Sequence, residues 1–422
     1  MRKLLIAGAA IGVLICQVVP ADSGDSVCLA IRGVRIVPVV GAVIPKGTIL
    51  IRGGRIEAVG VNPKVPADAR IIEAEGLSAY PGMIDACTSL GLVELSNVAA
   101  TADVSEIGAI NPQLKAVEAV KPDSVHIPIA RAAGITVAHV VPQGAFVAGQ
   151  SGLIRLNGRI PRDLVVRESV AMRIQFQAPP QYVGGKIIPG NTAKIAKELK
   201  DLLDKARLYR KLRAATAPAR GEREEFNEAL EFLGPVVEGA LPVMLAVESR
   251  EDIEGAIRFV KEERLKAILF GAPQAWKVAD KIKAAGLPII LDSLYAFPGD
   301  WEDGYDALYR NASILYKAGV PFAFSSNRYL PPFCTDLPDQ ASKAVAFGLD
   351  PEEALRAVTI RPAEILGVAG LMGSLEAGKA ANIVLTDGDL LDRRTAIKRV
   401  FIDGRSVDLS TRFTELLDRY KR

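Results

Sequence analysis

The chain has 422 residues, with 52 Lys and Arg against 49 Asp and Glu, a formal net charge of +3, and 2 histidines. So small a charge leaves no electrostatic footprint for nucleic acid, and no Lys/Arg block is interleaved with aromatic residues. His126 and His139 are the whole supply of imidazole. A metal centre built within one chain on about three or four histidines, the usual neutral ligands of zinc-like ions, is therefore excluded by arithmetic.

Arg2 and Lys3 precede an apolar run from Leu4 to Cys16, and Gln17, Val18, Val19, Pro20, Ala21 and Asp22 follow. Charged, then apolar, then polar is the order of a secretory signal peptide. The run is too short and isolated for a membrane span, and bulky Ile15 stands where a lipoprotein signal needs a small residue. Residues 1–24 are therefore expected to be a signal peptide, cut near residues 20 to 25. The mature chain is expected in the periplasm or the extracellular space, with no membrane span. Cys28, Cys87 and Cys334 remain in it. Export exposes them to oxidising conditions, but their spacing selects no pair, and three buried thiols are the expectation.

Residues 28–80 read as β structure, with β-branched runs at 34–40 and 48–52. Gly53-Gly54 joins 49–52 to 55–59 as a hairpin, because glycine tolerates the positive φ of a tight turn. Residues 71–74 add a short strand. From residue 81 short apolar strands alternate with helical stretches, the pattern of βα units around a parallel sheet. Strands are expected at 83–86, 135–141, 243–247, 267–270, 288–292 and 321–325. Several are apolar throughout, as strands buried on both faces are. Amphipathic helices are expected at 251–263 and 274–285, and one or two outer helices over 193–233. Residues 381–386 and 400–405 return to β structure. A chain that begins and ends in β structure predicts one small β domain assembled from both ends, burying apolar faces that neither end covers alone.

Three segments carry a family resemblance. Residues 48–60, Thr-Ile-Leu-Ile-Arg-Gly-Gly-Arg-Ile-Glu-Ala-Val-Gly, form the first. The second runs from Leu77 through Pro81-Gly82-Met83-Ile84-Asp85-Ala86-Cys87-Thr88-Ser89. The third joins residues 359–368, Thr-Ile-Arg-Pro-Ala-Glu-Ile-Leu-Gly-Val, to 373–384, Gly-Ser-Leu-Glu-Ala-Gly-Lys-Ala-Ala-Asn-Ile-Val. In this order they resemble the amidohydrolase superfamily over nearly the whole mature chain, in flavour the imidazolonepropionase-related and dipeptidase-like members. The resemblance implies an α/β fold: a distorted (β/α)8 TIM barrel plus a small β-sandwich formed by both chain ends, with site residues at the carboxyl ends of the strands. It divides the chain into 28–80 and 367–410 for the sandwich and 81–366 for the barrel. It also implies hydrolysis of C–N bonds in cyclic amides or peptide-like substrates, by one or two divalent metals that lower the pKa of bound water.

The motif residues depart from that chemistry. The family's first strand reads Pro-Gly-hydrophobic-Ile-Asp-x-His-x-His, and here Cys87 and Ser89 stand at the two histidine positions. Cysteine can ligate zinc as a thiolate; serine is a poor ligand. The strand-five histidine should fall at 246–248, where Glu248 could bind metal, and the strand-six histidine at 270–272, where there is none. The strand-eight aspartate, a ligand and general base, is replaced by Asn327, which cannot take a proton. No residue can be placed as a carboxylated lysine.

Each candidate has a structural and a functional reading. Cys87 is a nucleophile or thiolate ligand, or a small filler at a strand end. His139 faces the barrel mouth as a ligand contact, or is a buried histidine with its hydrogen bonds satisfied. His126 packs at a helix start, and Asp85 makes a structural hydrogen bond at a strand end. Glu248 and Asp292 bind a hard cation through oxygen, or are solvated rim charges. Residues 142–152 are glycine-rich but lack the Lys-Ser/Thr ending of a phosphate loop. They are expected to fold over the mouth as a loop, with Gln150 and Ser151 touching a ligand. Trp301, Tyr305 and Tyr309 are spaced by four and read as one aromatic face of a helix, used for packing.

The expected protein is an exported, degenerate amidohydrolase relative with no cofactor and with Cys87, Ser89, Glu248 and Asn327 as vestigial positions. It binds a small-molecule ligand, or serves as a partner in a homo-oligomer or beside an intact homologue. The alternative is a working hydrolase that holds Zn or another divalent metal through Cys87, Glu248 or Asp292. Which of the two holds decides whether the chain is an enzyme.

Overall fold

In the computed structural model, residues 28–144, 146–177, 181–183, 186–188, 190–215, 226–296, 302–326 and 331–421 are described. The signal-peptide segment, Trp301 and Asn327 lie outside them. The amino-terminal β-rich stretch folds as β1 (Leu29–Ile36), β2 (Ile44–Arg52), β3 (Arg55–Gly60), β4 (Arg70–Glu73) and β5 (Ser78–Pro81). Gly53 and Gly54 turn β2 into β3 with φ of 56° and 77°, the sign that this tight hairpin requires. The chain continues with β6 (Met83–Thr88), β7 (Ile135–Val140), β8 (Val147–Arg155) and β9 (Val165–Gln175). Then follow a small hairpin, β10 (Gln181–Val183) and β11 (Lys186–Ile188), and the strands β12 (Val243–Val247), β13 (Ala267–Gly271), β14 (Ile289–Leu291) and β15 (Phe322–Phe324). β16 (Ile383–Thr386), β17 (Ile397–Ile402) and β18 (Arg405–Ser406) complete the set.

Two large sheets result. One runs β18-β17-β16-β5-β1-β2-β3, with β4 also on β1, so the two chain ends meet at β5. Ala79 of β5 pairs with Ile36 of β1 on one side and Leu385 of β16 on the other. Ile31, Ile36, Ile49, Ile56, Ile383, Leu385 and Phe401 share the core of this domain. The expected β domain built from both ends is thus observed.

The other sheet is the barrel, in the order β15-β14-β13-β12-β9-β8-β7-β6. Its strands alternate with period two, as strands with two buried faces must. Ile84, Val137, Leu153, Ala171, Met244, Ile268, Ile290 and Ala323 fill the interior. Met83, Ile154, Met172, Leu245, Leu269, Ile289 and Phe322 face the surrounding helices. Ile360, Ala363, Leu366 and Met372 join the interior cluster, and Ile84 N–H donates to Val358 O at 2.9 Å, so this segment closes the end where β6 begins. The barrel is distorted as expected: β8 is antiparallel to both β7 and β9, while the other neighbouring pairs are parallel.

Two expectations are corrected. Residues 142–152 are a loop at the mouth only in their first part, 142–144, because β8 begins at Val147 and runs through the barrel wall. Their glycines serve close packing instead. Segment 111–117 lies along β8, with Asn111 N–H donating to Val147 O at 2.8 Å and Gln150 N–H to Leu114 O at 2.7 Å. A Cβ at Gly149 would stand 2.9 Å from Leu114 O, and one at Gly152 would stand 2.7 Å from Glu168 O, so only glycine fits. The aromatic helical face fails as well: the helix Ala307–Ala318 starts after Tyr305, which is 80% exposed. Of the two described residues of that set, Tyr309 packs there, with its ring centroid 4.8 Å from that of Phe347. The stretch 193–233, expected to hold one or two outer helices, carries the helix Thr192–Ala215 and the short helix Glu228–Phe232, with Gly234–Val237 just beyond.

Candidate functional site

The carboxyl ends of β6, β7, β9 and β13 surround a cavity of about 180 Å³, lined by Cys87, Val141, Pro142, Gln143, Gly144, Arg173, Gln175 and Phe270. This is the mouth, where barrels of this type place chemistry. A larger groove of about 840 Å³ lies at the other end of β13, between the helices Arg250–Glu263 and Ala279–Ala285. Its size reflects open surface, and it is remote from the strand ends that the motifs single out.

Arg173 dominates the mouth. Period two along β9 puts Ala171, Arg173 and Gln175 on the interior side and Met172 and Ile174 on the helix side. Arg173 is 8% exposed. Its guanidinium cannot shed its charge in a protein, so burial requires polar neighbours. Nη1 donates to Ile174 O at 2.8 Å and Nη2 to Gln175 Oε1 at 3.3 Å, while Gln175 Nε2 donates to Gln177 Oε1 at 2.8 Å. The guanidinium carbon sits 5.2 Å from the centroid of the Phe270 ring, a cation–π contact. Sequence reasoning missed Arg173, Gln143 and Gln175. The available signal was a lone arginine inside Val170-Ala171-Met172-Arg173-Ile174, an otherwise apolar run.

Of the positions expected from the sequence, only Cys87 lines the cavity among the described residues. Ser89 is fully buried, and its Oγ has no hydrogen-bond partner among the described residues. Glu248 is exposed and Asp292 half-buried, and neither lines the cavity. Asp85 is buried beneath the mouth, where Oδ1 accepts from Ser326 N–H at 3.0 Å and Cys87 N–H at 3.3 Å, and Oδ2 accepts from the Ser326 hydroxyl. Burial pushes its carboxyl up to about 6, and these bonds only partly oppose the rise.

His139, Gln150 and Ser151 lie in the barrel wall. His139 Nδ1 is 2.7 Å from Ala86 O and its Nε2 is 2.7 Å from Ser151 Oγ. Nδ1–H therefore donates to the carbonyl and Nε2 accepts from the hydroxyl. Burial pushes His139 down to about 4, so the ring is neutral. Ser151 Oγ also accepts from Ala171 N–H at 3.2 Å. Gln150 Nε2 donates to Pro112 O at 2.9 Å, and its Oε1 accepts from Ser169 at 2.5 Å. These bonds tie β6, β7, β8 and β9 together. His126 begins the helix His126–Ala132, with Nε2 at 2.9 Å from Glu94 O. Cys28, Cys87 and Cys334 are buried and form no disulfide among the described residues, and burial pushes Cys334 up to about 12.

Comparisons with known proteins place this geometry. The profile described as "Amidohydrolase family" matches residues 304–407. An imidazolonepropionase of Mesorhizobium japonicum is 25% identical over 379 residues, covering 82% of this chain and 87% of that protein. The amidohydrolase tasK of Hapsidospora irregularis is 25% identical over 394 residues, 85% of this chain, which spans only 39% of that relative's length. The crystal structure of an amidohydrolase from Thermotoga maritima superposes with a TM-score of 0.81 at 25% identity, covering 90% of this chain and 99% of that one. These findings bear out the resemblance to the amidohydrolase superfamily that the three sequence segments carry.

Amidohydrolases are usually metal-dependent, and the described residues lining this cavity bring one thiol and no imidazole or carboxylate. No group of three or more His, Cys, Asp or Glu side chains that could hold an ion occurs among the described residues. Arg173 adds a permanent positive charge that would repel a divalent cation, and Phe270, near the expected strand-six histidine, offers a phenyl ring. Among the described residues, no helix is long and apolar enough to cross a membrane.

Proposed function

We propose that this amidohydrolase is a metal-free member of its superfamily whose barrel mouth binds a small ligand in place of hydrolysing an amide. One observation carries the reading: the buried guanidinium of Arg173 lies against Phe270, at the strand ends where the motif alignment places ligands. Both histidines also point away from metal chemistry, since His139 has its two ring nitrogens hydrogen-bonded in the wall and His126 does not line the cavity. Asn327 supplies no general base. Ancestry in C–N bond hydrolysis, with cyclic amides or peptide-like compounds as substrates, accounts for the barrel and its polar mouth.

The same reading has the chain exported, supported by Arg2, Lys3 and the apolar run after them. It acts there as a homo-oligomer or beside an intact homologue. Elemental analysis of the purified mature protein, with an activity screen on N-acyl and cyclic amide compounds, tests the central claim. The expected result is no stoichiometric metal and no turnover. Stoichiometric zinc with chelator-sensitive turnover overturns it and supports a centre built on Cys87, Glu248 or Asp292. Amino-terminal sequencing of protein from its native host tests export, and a chain starting at Met1 overturns that part.

A further inference from the structure

We propose that the helix Arg412–Tyr420 docks this protein on the surface of a membrane rich in anionic lipid, lying along the bilayer without spanning it. Such docking is independent of what the barrel mouth binds.

The helix is firmly rooted yet bare. Its sequence is Arg-Phe-Thr-Glu-Leu-Leu-Asp-Arg-Tyr. Thr411 and Thr414 cap it reciprocally: Thr414 N–H donates to Thr411 Oγ1 at 3.2 Å, and Thr411 N–H donates to Thr414 Oγ1 at 2.9 Å. Thr411 is buried, and Val407 and Leu409 just before it pack against the barrel core. None of the helix residues is buried. Phe413 is 64% exposed, Leu417 52% and Tyr420 79%. Apolar side chains exposed singly are ordinary, but these share one face.

At 3.6 residues per turn, Phe413, Leu416, Leu417 and Tyr420 fall on a single stripe. Arg412 and Arg419 border the stripe on one side and Lys421 on the other, while Glu415 and Asp418 take the far side. An anionic surface selects that division of charge. Cations beside the apolar face reach the headgroups, and carboxylates are kept from them. The stems of arginine and lysine lie over apolar surface while their charged heads stay in the polar layer, and tyrosine is amphipathic in the same sense. Arg399 and Arg405, exposed on β17 and β18 before the helix, add positive charge.

A second copy of the chain fits this face worse. Either two-fold pairing of it, parallel or antiparallel, sets one border of cations against another. With 9 residues the helix falls far short of the roughly 20 that cross a bilayer. It is therefore placed in the interface, with its apolar stripe sunk among the upper acyl carbons.

The test is co-sedimentation with vesicles of mixed phosphatidylglycerol and phosphatidylcholine, beside vesicles of phosphatidylcholine alone. The protein used begins at residue 25, so that the apolar run 4–16 plays no part. Binding to the anionic vesicles is expected, with neutral vesicles weaker by at least about tenfold. Binding should fall at about 0.5 M salt, where screening shortens the reach of charge. Leu417→Asp should weaken binding by about tenfold or more, the scale of one apolar side chain withheld from the bilayer. Arg412→Gln combined with Arg419→Gln should weaken it by about tenfold, and Asp418→Asn, on the far side, should bind at least as well as the unmodified protein. No binding to anionic vesicles, equal binding to both kinds, or undiminished binding by Leu417→Asp overturns the inference. Dimerisation in the ultracentrifuge that Leu417→Asp abolishes, in protein that ignores vesicles, also overturns it and assigns the face to a second copy. Circular dichroism checks the fold of each variant. Should Leu417→Asp fail to fold, the arginine variant and the comparison of the two lipids on the unmodified protein decide the matter.

Discussion

Asp85 and Ser326 join the first barrel strand to the end of the last: the Ser326 N–H and hydroxyl both donate to the Asp85 carboxylate across 241 positions of sequence. Burial nevertheless pushes Asp85 up to about 6. An unfolded aspartate titrates near roughly 3.9. Between these values the folded state binds more protons than the unfolded one. The contribution of Asp85 to stability is therefore complete at low pH and is lost as pH rises through about 6.

His139 works in the opposite sense. Burial pushes it down to about 4, while an unfolded histidine titrates near roughly 6.5. Its contribution is present above the unfolded value and lost as pH falls through about 4. Each shift spans roughly two pKa units, or about 3 kcal/mol, so the two largely offset over the same window. Urea unfolding at several pH values should separate them. Relative to wild type, Asp85→Asn should lose stability between about pH 6 and 4, and His139→Gln should gain it. Parallel profiles for all three proteins would count against both assignments.

Ser89 should be dispensable. Its hydroxyl is buried without a partner among the described residues, and such a group costs about 1–3 kcal/mol. Ser89→Ala is expected to raise the urea midpoint or leave it unchanged. A clear fall would mean that the hydroxyl has a structural acceptor.

Gly82 explains part of the motif without any chemistry. A Cβ there would collide with the side chain of Thr136 on β7. Gly82→Ala should destabilise by about 1–3 kcal/mol, the cost of overpacking. Trimming the obstacle in Gly82→Ala with Thr136→Ala should recover much of the loss, and a double-mutant cycle measures the coupling. Strict additivity would refute the collision.

Cys87→His combined with Ser89→His, supplied with zinc, should not hydrolyse amides. Two imidazoles hold a cation weakly without further ligands and a base, and the Arg173 guanidinium opposes the ion electrostatically. Zinc-dependent turnover in this double variant, measured on N-acyl compounds, would show the site to be more intact than its residues suggest.

The residues differ in how openly they declare the fold. Gly53-Gly54 marks its hairpin by local backbone need, and Val243–Val247 and Ala267–Gly271 show as apolar runs because both faces are buried. β8 and β9 were illegible. Gly149 and Gly152 look like loop residues, yet they admit segment 111–117, a contact that exists only after folding. Arg167, Glu168 and Arg173 break the apolar pattern of β9. The missing histidines could be read from identity alone. Their replacement could not, because Arg173 meets Phe270 only once β12 sets β9 beside β13.

The sheet that unites β5 with β16 has a consequence for biogenesis. Thr386 reaches the carbonyl of Ser78 across 308 positions of sequence, so one flank of β5 waits for its mate until the whole barrel has been synthesised. During that interval it is a bare edge of N–H and C=O groups, able to capture a strand from another chain.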